Sequence, residues 1–291
     1  MIGLSTSYYA MKGLSIYDSV LKTVELGFEL IELGAAHEYE DSAFSTLRKI
    51  KKDFPSVSFT VHTLFPPLRK RVWFNPADGL NKINKEIIDG LFEAASIVDA
   101  SLISIHPPVL NEINLMDVNL SNFHKLEIGQ PKSLNESKGN FFQLMEYISR
   151  KTEAKKTKII IENVGAVNSQ LIESYPYAKD DYFEIFEKFP DAGMLLDVGH
   201  ALQAGNLNEL VEMDGKVFEL HLHDIGYESD NKLNAHFPIK SSEFFDPLTE
   251  IVKKDSMVSV FEHGTNVTEE EILKEKELLE IFIANHTRLC A

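Results

Sequence analysis

The chain predicts an α/β fold: a (β/α)8 TIM barrel, with eight parallel strands closed into one sheet, in a single domain over residues 1–291. Three observations carry this expectation. Eight short apolar runs recur, each bounded by turn residues and followed by an amphipathic segment. No glycine-rich phosphate loop follows the first run, where "STSYYAMKG" stands, so the signature of a doubly wound open sheet is missing. Long connections follow the strands and short ones the helices, the asymmetry of a barrel that builds its chemistry on one face.

In order, "IGLSTS" (2–7) precedes a helix expected over 15–27, "ELIELG" (29–34) one over 43–53, and "SFTVHT" (58–63) one over 81–99. "LISIHP" (102–107) leads to 139–154, "KIIIEN" (158–163) to 181–188, and "GMLLDV" (193–198) to 206–213. "VFELHLHD" (217–224) leads to 241–254 and "MVSVFEH" (257–263) to 269–284. The long connections are 64–80, 109–132, 164–180 and 225–240, too long for a compact domain unless they serve a purpose. No stretch has the composition of an interdomain linker.

With 44% hydrophobic and 10% aromatic residues, a chain of 291 residues can bury a large core. The formal charge of −16 works against long-range attraction to phosphate backbones. The densest basic run, "LRKRVWF" with Arg69, Lys70, Arg71 and Trp73, could grip a phosphate or stack on a substrate, or form a solvated loop face. The one cysteine, Cys290, excludes an internal disulfide and suits a reducing compartment. The N-terminus lacks a signal-peptide pattern and no apolar run approaches ~18 residues, so a cytoplasmic protein without membrane spans is expected. Oligomeric state is left open.

Strand side chains alternate between the lumen and the helix layer. In "VFELHLHD", Phe218, Leu220 and Leu222 are assigned to the helices, leaving Glu219, His221 and His223 to the lumen. The same alternation sends His62, His106, Glu162, Asp197 and Glu262 inward at their strand ends. Carboxylates and imidazoles converging in one pocket would repel or lie desolvated unless something positive sits among them. A divalent cation is the simplest compensation, and mixed His/Asp/Glu ligation suits zinc, manganese, cobalt or iron better than calcium. Gly199 is expected to let the chain turn so that His200 joins Asp197 in the same pocket.

These residues give the chain its resemblance to the xylose isomerase-like barrel superfamily, which includes endonuclease IV and the epimerases related to tagatose 3-epimerase. "TVHTLFPP", "ISIHPP", "IIIENVG", "LLDVGHA", "ELHLHD" and "VFEHG" carry it, in order and at strand ends. The resemblance implies a divalent metal (Mn, Zn, Co or Mg) on Glu162, Asp197, His221 and Glu262. It also implies that Glu162 and Glu262 exchange a proton beside a carbonyl through a metal-stabilised enediolate, the chemistry of a sugar or sugar-phosphate isomerase or epimerase. Endonuclease IV-like members extend the site to three zinc ions. His62, His106 and His200 match three of the extra ligands and His236 another, whereas Asn234 stands where that pattern has Asp and Phe65 where it has Tyr. The alternative reading is therefore a zinc phosphodiesterase acting on abasic DNA, with a small carbohydrate preferred on charge.

In a one-metal site His62, His106 and His200 would bind substrate instead. Glu32, ending "LIELG", could reach a sugar hydroxyl at the mouth or brace a loop. Phe65 and Trp73 could line the pocket, as could Tyr175 and Tyr177. Glu219 calls for a buried Lys or Arg partner. His223, Asp224 and His263 are assigned supporting or surface roles, and His37, His124 and His286 the surface.

Overall fold

The computed structural model describes residues 1–115, 126–152, 157–167, 170–227 and 233–287. Eight strands close into a parallel barrel: β1 (Ile2–Ser5), β2 (Leu30–Leu33), β3 (Ser58–His62), β4 (Leu102–Ile105), β5 (Lys158–Glu162), β6 (Gly193–Asp197), β7 (Val217–Leu222) and β8 (Val258–Phe261). They neighbour one another in chain order, and β8 closes on β1 with Gly3 opposite Val260. The expected fold is thus the observed one.

The expected helices are observed at Ile16–Glu25, Ala43–Asp53, Lys82–Val98, Leu134–Thr152, Lys179–Lys188 and Glu269–Thr287. Two others differ. Between β7 and β8 the chain forms a 3-10 segment, Ser242–Leu248, before the short helix Thr249–Val252, because Pro247 supplies no N–H to an α-helical ladder. Between β6 and β7 an unexpected helix, Val198–Ala204, comes first, and the helix expected over 206–213 is split into Leu207–Leu210 and a 3-10 turn at Val211–Lys216. Gly205 separates the first two in the left-handed region, at φ 74°, where glycine is unstrained. No helix among the described residues is long and apolar enough to cross a membrane.

The main core lies between barrel and helices: Ile103, Ile105, Ile159, Ile161, Leu196, Leu220 and Leu222 pack outward onto Leu47, Ile50, Leu91, Leu144 and Leu210. Each such side chain contributes roughly 1.5–3 kcal/mol. A smaller cluster fills the floor of the lumen: Leu30, Leu102, Ile160, Leu195, Val258 and Val260, with Phe218 against them. Phe218 was assigned to the helix layer. The β6–β7 register slips between Met194 and Leu195, placing both Phe218 and Glu219 on the lumen side, as a bulge does.

Above the floor lies a polar layer of Glu32, Thr60, Ser104 and Glu219, all fully buried. Glu219 meets no Lys or Arg among the described residues. Thr60 donates its hydroxyl to Glu219 Oε1 at 3.1 Å, and Oε2 has no hydrogen-bond partner. Burial, reinforced by the nearby Glu32 carboxylate, pushes the Glu219 carboxyl up to about 8, so it stands as a neutral acid at pH 7.

The long strand-to-helix connections form small antiparallel ribbons on the C-terminal face: Asn111–Leu115 with Leu126–Pro131, and Asp224–Tyr227 with Leu233–Phe237. His124 and Cys290 lie outside the described residues.

Candidate metal centre

The ends of β5, β6, β7 and β8 bring Glu162, Asp197, His221 and Glu262 together, with one donor atom of each within 4.8 Å of the others. All but Glu262 are essentially buried; its side chain is 18% exposed and faces the mouth. The sequence-derived quartet therefore occupies one point of the barrel.

Each member is held from behind. Asp197 caps the following helix, its Oδ1 accepting from the His200 backbone N–H at 2.7 Å. Asn163 grips the Asp197 backbone on both sides, its Nδ2 donating to the carbonyl at 2.9 Å and its Oδ1 accepting from the N–H at 2.8 Å. His221 Nε2 lies 2.8 Å from Glu32 Oε2. A carboxylate there fixes the tautomer with the proton on Nε2, leaving the Nδ1 lone pair to the cluster. That Nδ1 is buried, makes no hydrogen bond, and faces Glu262 at 3.2 Å, Asp197 at 3.7 Å and Glu162 at 3.8 Å.

A lone pair aimed at three carboxylate oxygens is tolerable only with a cation or proton between them. In the metal-free protein protons take that role. Burial would lower His221, but Glu32 and Glu262 outweigh it and hold its pKa well above the ordinary histidine value. Burial would raise Glu162 and Asp197, but the surrounding histidines hold both carboxyls well below the usual range. Three ionised carboxylates and an orphaned imidazole nitrogen are a donor set that fits one divalent metal.

Glu162 joins a second cluster with His62 and His106, again within 4.8 Å. His62 Nε2 is 3.0 Å and His106 Nε2 3.3 Å from Glu162 Oε2. Burial opposes the charge on His62, yet Glu32 and Glu162 raise it to about 9; burial wins at His106 and lowers it to about 4. Trp73 stacks on His106 with centroids 6.0 Å apart.

A third cluster holds His200, His223 and His236. His223, not Asn234, completes it. Both His223 ring nitrogens are engaged, Nδ1 accepting from the His236 backbone N–H at 3.0 Å and Nε2 lying 3.0 Å from both Asp197 oxygens. His236 Nδ1 sits 3.0 Å from the Glu262 carbonyl oxygen. Burial would lower His200, but Asp197 and Glu162 raise it to about 9.

Several expected positions are corrected. Glu32 is fully buried beneath His221 and does not reach the mouth, since lumen alternation places it one layer down. Phe65 is 1% exposed and packs edge-on against His37, so it is core and not pocket wall. His37, expected at the surface, is buried with Nε2 3.0 Å from Thr6 Oγ1. Tyr175 packs among Phe141 and Phe142, and Tyr177 bonds the Ala204 carbonyl; both brace loops. Arg69 pairs with the exposed Asp41 at 3.1 Å and lines a surface groove with Lys70 and Arg71, as a solvated loop face would. Gly199 lies within a helix and is not needed for a left-handed turn. A Cβ there would fall 2.0 Å from the His223 ring.

Two supports were not foreseen. Asn163 has no periodic signal beyond following a strand. Glu275 is fully buried on the last helix and pairs with His263 Nε2 at 2.6 Å, next to Glu262; its place on the apolar stripe with Ile272 and Leu279 was the available clue.

Solved structures similar to this fold include a D-tagatose 3-epimerase-like protein (20% identity, TM-score 0.68, covering 100% of this chain and 99% of the other). They also include IolI protein with a bound zinc atom (18%, TM-score 0.66, 98% of each) and endonuclease IV of Thermus thermophilus (12%, TM-score 0.57, 98% and 99%). An uncharacterized protein of Methanocaldococcus jannaschii is 22% identical over 232 residues, 80% of each chain. At these identities the solved structures establish the fold alone, while the family model for xylose isomerase-like TIM barrels matches residues 20–280. The chain belongs to the xylose isomerase-like TIM-barrel family.

Proposed function

We propose that the protein is a divalent-metal-dependent isomerase or epimerase of a sugar or sugar phosphate, with Glu162, Asp197, His221 and Glu262 as ligands. The observation that carries this reading is the His221 Nδ1 atom, buried without a hydrogen bond among three carboxylates. A bound cation would polarise a substrate carbonyl and its neighbouring hydroxyl, making the carbon between them acidic. Glu262, the more open carboxylate, takes the proton from that carbon. Glu162 returns one on the opposite face or at the next carbon. His62 keeps its own proton to about 9 and faces Glu162 Oε2 at 3.0 Å, so it resupplies that carboxylate at neutral pH. Trp73, stacked on His106, would shield the reacting carbon from water on that side.

The test is turnover of a panel of ketoses and their phosphates by the wild type and Glu262→Gln. The variant is expected to lose about 10²–10⁴-fold in kcat while keeping the wild-type circular dichroism; full activity would sink the assignment. The second cluster favours a second reading, a two-metal phosphodiesterase in which His62, His106 and the shared Glu162 would hold a second divalent ion that would add Lewis-acid chemistry at the same pocket. Two zinc equivalents per chain, nicking of an abasic duplex and no ketose turnover would replace the first reading with the second.

A further inference from the structure

The Asp197 carboxylate accepts hydrogen bonds from the His200 backbone N–H and from His223, and helix capping explains only the first. His223 is fully buried, two residues beyond His221, and its Nε2 lies 3.0 Å from both Asp197 oxygens. Its other nitrogen accepts the His236 backbone N–H at 3.0 Å. An amide N–H can only donate, so Nδ1 is the acceptor and the ring proton sits on Nε2, pointing at the carboxylate.

Two further features serve that contact. His236 adopts φ 65°, a left-handed conformation disfavoured for a non-glycine residue. It persists where surroundings over-determine it, and here it places the backbone N–H on His223 and the imidazole Nδ1 on the Glu262 carbonyl. Gly199 leaves the room the ring occupies, because any Cβ would overlap His223 Cε1 and Nδ1 at 2.0 Å.

We propose that His223 is a positioning residue that orients the Asp197 carboxylate for metal binding through its Nε2–H, with its tautomer set by the His236 backbone. The inference rests on Asp197 being a ligand. It separates His223 from the histidines around it: His223 supplies a donor to a ligand and has no lone pair left for a metal. Through it, the strand Leu233–Phe237 bears on the geometry of the centre, so seating of that strand and metal affinity are linked.

The test is Mn²⁺ affinity by calorimetry for the wild type, His223→Leu and His223→Gln, with thermal midpoints recorded for the metal-free proteins. Leucine removes the donor and glutamine returns an N–H near the same place. His223→Leu is expected to bind Mn²⁺ about 10–100-fold more weakly, the range for loss of a partner behind a ligand, and His223→Gln to recover most of the loss. Recovery with equal thermal midpoints distinguishes orientation from folding. Unchanged affinity in His223→Leu overturns the inference, as does loss of one Mn²⁺ equivalent in both variants, which would make His223 itself a ligand. If the wild type binds no divalent metal, the functional reading fails and this inference falls with it. Nitrogen-15 spectra of the metal-free, histidine-labelled protein stand apart from variant folding. A neutral ring protonated on Nε2, absent in His223→Gln, is expected; one protonated on Nδ1 would overturn the assignment.

Discussion

The floor and the mouth of the barrel lumen are built from the same strands with the same alternation, yet they are chemical opposites. On β6, Leu195 packs in a floor of aliphatic carbon and Asp197, two residues on, faces imidazoles and carboxylates. On β5 the pair is Ile160 and Glu162, and at the end of β8 Val260 and Glu262. The floor is stabilised by removing carbon from water. The mouth is destabilised by bringing like charges together out of water, and is tolerable only with protons or a cation. Stability and chemistry are thus divided along the barrel axis.

The sharpest test separates the two on one strand. Leu195→Ala is expected to cost about 2–5 kcal/mol, read as a lowered thermal midpoint, with Mn²⁺ affinity per folded molecule unchanged. Asp197→Asn keeps the helix cap, since Asn caps as well as Asp. It should lower the metal-free midpoint, because the buried histidines that hold this carboxyl well below its usual range lose their counter-charge, while weakening Mn²⁺ binding by more than the ~10–100-fold typical of outer partners. Loss of metal affinity in the leucine variant would erase the division.

Metal removal addresses the mouth alone. Chelation is expected to lower the thermal midpoint by the equivalent of ~2.7 kcal/mol where the metal had been at about 100 times its Kd. Protons held by His62 and His200 up to about 9 repel the incoming cation. Apparent affinity should therefore rise with pH from neutrality to about 9, with proton release seen by calorimetry in buffers of different ionisation enthalpy. An affinity flat across that window would mean that the pocket does not hold those protons.

The smallest effect belongs to the layer between. The Glu219 carboxyl is raised from 4.5 to about 8, so it favours the folded state fully below 4.5 and this contribution is lost as pH rises from there through about 8. In the metal-free protein, Glu219→Gln should gain on the wild type by a few degrees in thermal midpoint as the pH climbs across that window. A constant difference between the two over this range would show that Glu219 is already ionised.

The sequence by itself determined the barrel, because period-two alternation and turn chemistry are local signals that each strand carries alone. It also determined that Glu162, Asp197, His221 and Glu262 share a mouth, since parity along parallel strands of known order places all of them at one end. The tertiary structure decided everything that depends on the register between strands and the return of loops. The bulge that turned Phe218 inward arises in the β6–β7 pairing and not in either strand. Glu32 beneath His221, Glu275 on His263 and His223 on Asp197 join residues 189, 12 and 26 positions apart. No local pattern reports such distances. What sets each histidine's role is which of its two nitrogens finds a donor or an acceptor, and that is decided only when the chain has closed around it.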